Sequence, residues 1–266
     1  MRASRAASAP APYNLTPAPR GALNSLVPQA VPAALEREGS VLLAVKAVGI
    51  NFRDVLNVLG MYPGDAGDPG SDCAGVVVAA NASAGVQPGD AVFGLATGSF
   101  GSHVQASALT LVPVPQHVGF EAAATMPTVF ITVDTALNQV ATLRPGERLL
   151  LPAAAGGVGL AGIQLAQALG ARVLATAGSP AKRGLLRRLG VEAVTTSRGL
   201  GCFEDGGLLG GAHVVLNSLT SPGMVGGALA LLRRGGRLVE IGKRDVWSGA
   251  AVAAQRPDVA YSLLAV

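Results

Sequence analysis

Residues 149–170 read LLLPAAAGGVGLAGIQLAQALG, and this stretch decides the fold. Leu149, Leu150 and Leu151 are too apolar to face water and predict a buried strand. A glycine turn follows, Ala154-Ala155-Gly156-Gly157-Val158-Gly159, a G-x-G-x-x-G pattern with alanine in the first place. Gly156 lets backbone approach a pyrophosphate, and Gly159 lets the next helix pack close to the sheet. That helix is apolar apart from Gln164 and Gln167, which share one face and leave the rest free to be buried. Gly170 closes it as a left-handed cap. At the helix start, unpaired N–H groups and the positive end of the dipole converge, which suits a diphosphate. An Ala/Gly-rich chain makes glycine strings by chance. This one has the required strand before it and helix after it, so it reads as a dinucleotide site rather than an accidental turn.

The second strand is expected at 172–177, RVLATA. A site selective for NAD places an acid at its end to bond the ribose hydroxyls. Here the chain runs Gly178-Ser179-Pro180-Ala181-Lys182-Arg183, with no acid before Glu192. Ser179 reads as a helix cap with Pro180 in the first turn. Its hydroxyl, Lys182 and Arg183 are suited to surround a 2′-phosphate through charge-assisted hydrogen bonds, which favours NADPH. A capped, solvated basic helix is the bland alternative.

At 266 residues the chain has room for one large or two ordinary domains. Half its residues are hydrophobic and 36 are glycine, a composition of globular α/β proteins rather than disordered ones. The net charge of +4 is mild, and no basic run with interleaved aromatics points to nucleic acid. Cys73 and Cys202 form no C-x-x-C, which argues against a disulfide scaffold or a Cys-rich zinc site. No apolar run reaches membrane-spanning length. The acid-free start, with Arg2, Ser4, Arg5 and Ser8 among alanines, is compatible with a plastid or mitochondrial transit peptide. Pro10, Pro12, Pro17 and Pro19 would break its helix, so a linker and a cytoplasmic location are preferred.

Residues 40–120 show short strand-like runs punctuated by Pro and Gly, at 41–48, 75–79, 86–94 and 102–115, and predict a β-rich domain. From Phe120 helices alternate with strands. Strands are expected at 148–152, 172–177, 192–196, 213–217, 237–241 and 259–266. Helices are expected at 120–125, 128–142, 158–169, 180–189 and 222–233. Six strands with crossovers make a doubly wound parallel sheet of the Rossmann kind.

The chain resembles the enoyl reductase domain of polyketide synthases, in the zinc-free, quinone oxidoreductase-like branch of the medium-chain dehydrogenase/reductase superfamily. The matching strings are VGINFRDVLN at 48–57, LGMYPG at 59–64, Gly94-Leu95, FGSH at 100–103, PAAAGGVG at 152–159, PAKR at 180–183, VVLNSL at 214–219, and Gly235-Gly236-Arg237 to Gly242-Lys243. NFRDVLNVLGMYPG is the most specific. The resemblance covers residues 18–266. It implies a linker or tail at 1–17, a GroES-like catalytic domain at 18–120 and a Rossmann NADPH-binding domain at 121–266. Three departures stand out. The chain stops at Val266 inside the last expected strand, so the sheet reads as C-terminally truncated and lacks an acid that the family places near that strand's end. The crossover at 199–211, GLGCFEDGGLLGG, is a poor helix on propensity. The first 17 residues match nothing in the family.

The implied reaction transfers a hydride to the β-carbon of an α,β-unsaturated thioester and a proton to the α-carbon. Tyr62 and Lys243 are the implied proton donors, and Asn51 a contact for substrate or nicotinamide. Each has a plain alternative: a ring-packed loop tyrosine, a solvated lysine, a turn-stabilising asparagine. Cofactor contacts fall on Ala154, Gly156, Gly157, Val158, Gly159, Ser179, Lys182, Arg183, Asn217, Ser218 and Gly242. Arg53 and Asp54 read as structural; Thr128 and Thr132 begin a helix region that the resemblance implies passes the nicotinamide, with a helix-start or back-bonding hydroxyl as the plain alternative. No metal is expected, because Ser71-Asp72 stand where zinc members carry a His-Glu pair. His103, His117 and His213 have no ligand spacing. The implied partners are an acyl carrier protein and other synthase domains, with a homodimer left open. Two other readings remain: a free-standing quinone or enone reductase, and a truncated module that binds NADPH without turnover.

Overall fold

A computed structural model describes residues 11–32, 34–35, 37–198, 211–219, 221–242 and 246–264. The chain forms two compact units, one up to Thr128 and one from Val129. In the first unit, β1 (Tyr13–Pro17) pairs antiparallel with β2 (Leu26–Ala30). A five-stranded antiparallel sheet follows from β3 (Ser40–Gly49), β4 (Asp72–Ala80), β5 (Ala91–Leu95), β6 (His103–Ser107) and β7 (Leu111–Pro113), in the order β6-β3-β4-β5-β7. Alternate residues of these strands, among them Val41, Leu43, Cys73, Val77, Val92 and Val104, close into one core. Helix α1 (Phe52–Val58) links β3 to the loop before β4. Helices α2 (Phe120–Ala124) and α3 (Pro127–Asp134) lead out of this unit.

The strand β1 begins inside the stretch that the sequence reads as tail. Its prolines hide it, yet Leu15 donates to Phe100 and Ser102 to Tyr13, so the segment is stitched to the loop before β6.

The second unit is a six-stranded sheet with every pair parallel. Its strands are β8 (Arg148–Leu151), β9 (Arg172–Thr176), β10 (Ala193–Thr195), β11 (Ala212–Asn217), β12 (Leu232–Glu240) and β13 (Ala260–Leu263). Their order, β10-β9-β8-β11-β12-β13, is the doubly wound arrangement expected from the sequence. Helices α4 (Gly157–Ala168), α5 (Pro180–Arg188), α6 (Met224–Leu231) and α7 (Gly249–Gln255) complete it. Leu149, Leu151, Ile163, Val173 and Leu186 pack one face of the sheet, and Leu150, Leu174, Leu229 and Leu238 the other. Runs buried on both faces are why these strands read as continuous apolar stretches.

Two expected elements differ. The helix predicted to 142 becomes a π-helical turn over Thr135–Val140, where Ala141 bonds back five residues to Ala136. Helix α6 stops at Leu231 instead of 233, because Leu232 pairs with Ala212 and Gly235 turns the chain with φ +71°. The thin crossover falls almost wholly at 199–210, outside the described residues.

Candidate active site

The glycine turn sits between β8 and α4. Ala153 adopts φ +52°, and the turn is held to β9 by Thr176, whose Oγ1 accepts from Ala153 at 3.0 Å and whose carbonyl accepts from Ala154 at 2.9 Å. Ala154 is fully buried. The glycines then divide by function. A Cβ on Gly159 would lie 2.3 Å from the Ala154 carbonyl oxygen, so this glycine is dictated by the protein itself. Its close approach is to the turn. The approach to the sheet is made by Gly162, where an added Cβ would lie 3.2 Å from the Leu151 side chain. A Cβ on Gly157 would be tight against the Val129 side chain, at 3.1 Å. Gly156, the exposed N-cap of α4, is different: a Cβ there would meet only the Ala153 oxygen at 3.7 Å. Among the described residues nothing demands glycine at 156, and the space beside it lies at the helix start, where the first N–H groups have no partner within the helix. Gly170 takes φ +73° after the helix, and Gln164 and Gln167 face solvent, as expected.

At the end of β9, Ser179 caps α5. Its Oγ accepts from the Lys182 N–H at 3.3 Å, which leaves the hydroxyl proton free to donate outward. Lys182 is exposed, while Arg183 donates to the Ala177 carbonyl at 3.1 Å. The turn, Ser179, Ser218 and Gly242 all follow the carboxyl ends of parallel strands, the edge where ligands bind in such sheets.

Asn217 and Ser218 part company. Ser218 is exposed, but Asn217 is fully buried. Its Nδ2 donates to Glu240 Oε2 at 2.6 Å and to the Leu219 carbonyl at 2.9 Å. The Asn217 side chain is thus spent on internal hydrogen bonds, at the end of the strand expected to border the cofactor. Glu240 escaped the sequence reading. The only signal was an acid ending the apolar run Arg237-Leu238-Val239-Glu240, and it gains meaning from the register that sets Asn217 beside it. Burial pushes its carboxyl up, against the hydrogen bonds from Asn217, Gly242 and Ile241. Lys243 lies outside the described residues.

In the first unit, Asn51 is the N-cap of α1, and its N–H donates to Asp54 Oδ2 at 2.8 Å. Asp54 Oδ1 accepts from Gly70 at 2.8 Å. Asn57, also buried, donates to the Gly67 carbonyl at 3.1 Å. Arg20 joins both, bonding Asn57 Oδ1 at 3.0 Å and the Gly67 carbonyl at 2.7 Å. Arg53 donates to the Ala66 carbonyl at 3.0 Å and stands 5.5 Å over the ring of Tyr62, a cation–π distance. The string NFRDVLN is thus a helix whose polar side chains hold the loop bearing Tyr62. Arg53 and Asp54 are structural, as expected, and Arg20 and Asn57 were not foreseen.

Asp72 is buried and accepts from Thr128 N at 3.2 Å and Thr128 Oγ1 at 2.5 Å, so it anchors the start of α3. Desolvation pushes its carboxyl up, against the hydrogen bonds from Thr128. Beside it, burial pushes the Cys73 thiol up to about 12. Among the described residues no three His, Cys, Asp or Glu side chains converge as a metal cluster. The described residues do not fit a zinc ion.

Comparison with known proteins agrees with this architecture. The alcohol dehydrogenase GroES-like domain family matches residues 37–116, and the zinc-binding dehydrogenase family matches 157–261. The chain is 44% identical over 256 residues to the spectinabilin polyketide synthase system protein NorB of Streptomyces orinoci. That alignment takes in 94% of this chain and only 12% of NorB. The crystal structure of CurK enoyl reductase superposes with a TM-score of 0.89 at 36% identity, covering 96% of this chain and 81% of that one. Escherichia coli quinone oxidoreductase complexed with NADPH gives 0.82 at 26% identity, covering 95% and 81%. A two-domain reductase fold is the class these features define. The chain belongs to the medium-chain dehydrogenase/reductase superfamily, and within it to the enoyl reductases of polyketide synthases.

Proposed function

We propose that this chain is an NADPH-dependent reductase of α,β-unsaturated thioesters borne on a carrier protein, working beside other domains of a polyketide synthase. The observation that carries the cofactor reading is the edge of the parallel sheet. There, open space at Gly156 is followed, at the end of β9, by Ser179 and Lys182 with no acid. A diphosphate would rest on the N–H groups of residues 157–159, and a 2′-phosphate on Ser179, Lys182 and Arg183. When bound, NADPH supplies the hydride. The resemblance to polyketide enoyl reductases supports the thioester as its acceptor. The chain's own residues then have three tasks. Asn51 orients the substrate through its amide. Tyr62, held by Arg53 over its ring, delivers the proton to the α-carbon, with Lys243 as the second proposed donor. Donors near the thioester oxygen stabilise the charge that develops there.

The test follows NADPH oxidation by absorbance with a crotonyl thioester, with NADH in parallel. Thioester-dependent oxidation that prefers NADPH is expected. A folded chain that oxidises NADPH with a soluble quinone and ignores the thioester overturns the substrate. A chain that binds NADPH without turnover overturns the activity.

A further inference from the structure

Glu240 is an acid at the end of a buried strand, fully out of solvent, and its two oxygens serve two different chain segments. Oε2 accepts from Asn217 Nδ2, and Oε1 accepts from the Gly242 N–H, each at 2.6 Å. Asn217 in turn holds the Leu219 carbonyl. One carboxylate therefore ties together the segments leaving β11 and β12, both at the carboxyl edge of the sheet. A buried carboxylate is a weak choice for stability, since an apolar side chain of similar size does as well or better. It is a strong choice where two N–H donors must be held at fixed positions, because a carboxylate accepts at both oxygens and an amide at only one.

We propose that Glu240 is a positioning residue for the dinucleotide. It sets the backbone of Ser218, Leu219 and Gly242 so that the cofactor finds these two segments already in place. The proposal rests on the reading of this sheet edge as an NADPH site. The preorganisation is local to β11 and β12, remote in the sheet order from Ser179 at the end of β9.

The experiment measures nucleotide affinity by fluorescence, together with thermal melts, for wild type, Glu240→Gln, Asn217→Asp and the double variant. Gln at 240 turns an N–H₂ toward either Asn217 or Gly242. The Kd for NADPH then rises about tenfold, the scale of one orphaned buried donor, and the Kd for NADH rises by the same factor. Asp at 217 sets two carboxylates against each other and does worse. The double variant restores a donor facing an acceptor between 217 and 240 but leaves the Leu219 carbonyl without its donor, so its Kd falls well below that of Asn217→Asp while staying above wild type, a coupling of the size that touching residues show. Lower melting temperatures with unchanged Kd values overturn the proposal, as does a double variant no better than the poorer single. A wild-type chain that binds neither nucleotide overturns instead the cofactor reading beneath it. If the variants fail to fold, hydrogen exchange in wild type decides. Slowed exchange over 217–219 and 240–242 on adding NADPH supports the assignment, and unchanged exchange overturns it.

Discussion

Replacing Gly159 by alanine tests whether the fold or the ligand requires each glycine of the turn. The added Cβ would lie 2.3, 2.4 and 2.5 Å from the Ala154 oxygen, Cα and carbonyl carbon, all of them backbone. No side chain can swing away. Either α4 lifts from the turn or Ala154 moves, and Ala154 is bound to Thr176 at 2.9 Å. Overpacking costs about 1–3 kcal/mol, and a strained hydrogen bond adds about 1 kcal/mol. Alanine returns up to about 1 kcal/mol of helix propensity. The net loss is about 1–4 kcal/mol, which lowers the melting temperature by about 2–16 °C for a domain of this size. Gly156→Ala is the control. Its Cβ meets only one atom, at 3.7 Å, so it loses at most about 1 kcal/mol of capping and melts within about 4 °C of wild type. It nevertheless binds NADPH more weakly. Thermal melts with and without nucleotide read both effects. A Gly159→Ala protein that melts with wild type, or a Gly156→Ala protein that melts as early as Gly159→Ala, refutes the division of labour.

Three further outcomes follow from the geometry. Replacing Lys182 and Arg183 by alanine raises the Kd for NADPH about tenfold and leaves that for NADH in place, and the difference shrinks as salt rises; equal losses for both nucleotides would remove the 2′-phosphate assignment. Asp54→Ala orphans the N–H groups of Asn51 and Gly70, costs about 2–4 kcal/mol, and speeds hydrogen exchange over 60–70; a wild-type melt contradicts it. Burial pushes the Glu147 carboxyl up, but Arg237, paired with it at 2.6 Å, and the Arg144 N–H outweigh burial and hold it below the ordinary 4.5. A depressed acid adds stability above its unfolded value and loses it as pH falls through its folded one. Wild type therefore out-melts Glu147→Gln at neutral pH, and the gap closes on acidification; a gap that persists down to about pH 2 removes the pairing.

The second unit was legible because its signals are local. Strands of Leu and Val, glycines at 156, 159 and 170, and the Ser179-Pro180 cap each write their own structure. Boundaries failed where a distant group intervened. The leucine-rich run at 229–232 looks helical throughout, but Leu232 is captured by Ala212, twenty residues back. The helix start at Thr128 depends on Asp72, and β1 depends on Phe100. In the site, the glycine turn and the Ser179 rim were readable from spacing. The Asn217–Glu240 pair was not, because 23 residues separate its members and only the parallel register makes them neighbours.

The loop that carries Tyr62 is not a free-standing graft. Arg53, Asp54 and Asn57 grip it from the adjoining helix, and Arg20 grips it from far upstream. Exchanging modules between synthases by cutting just ahead of the NFRD string would move the loop and leave one of its clasps behind. A recombination junction placed before Arg20 carries the whole assembly, and Tyr62 can then be varied alone while the frame around it is inherited intact.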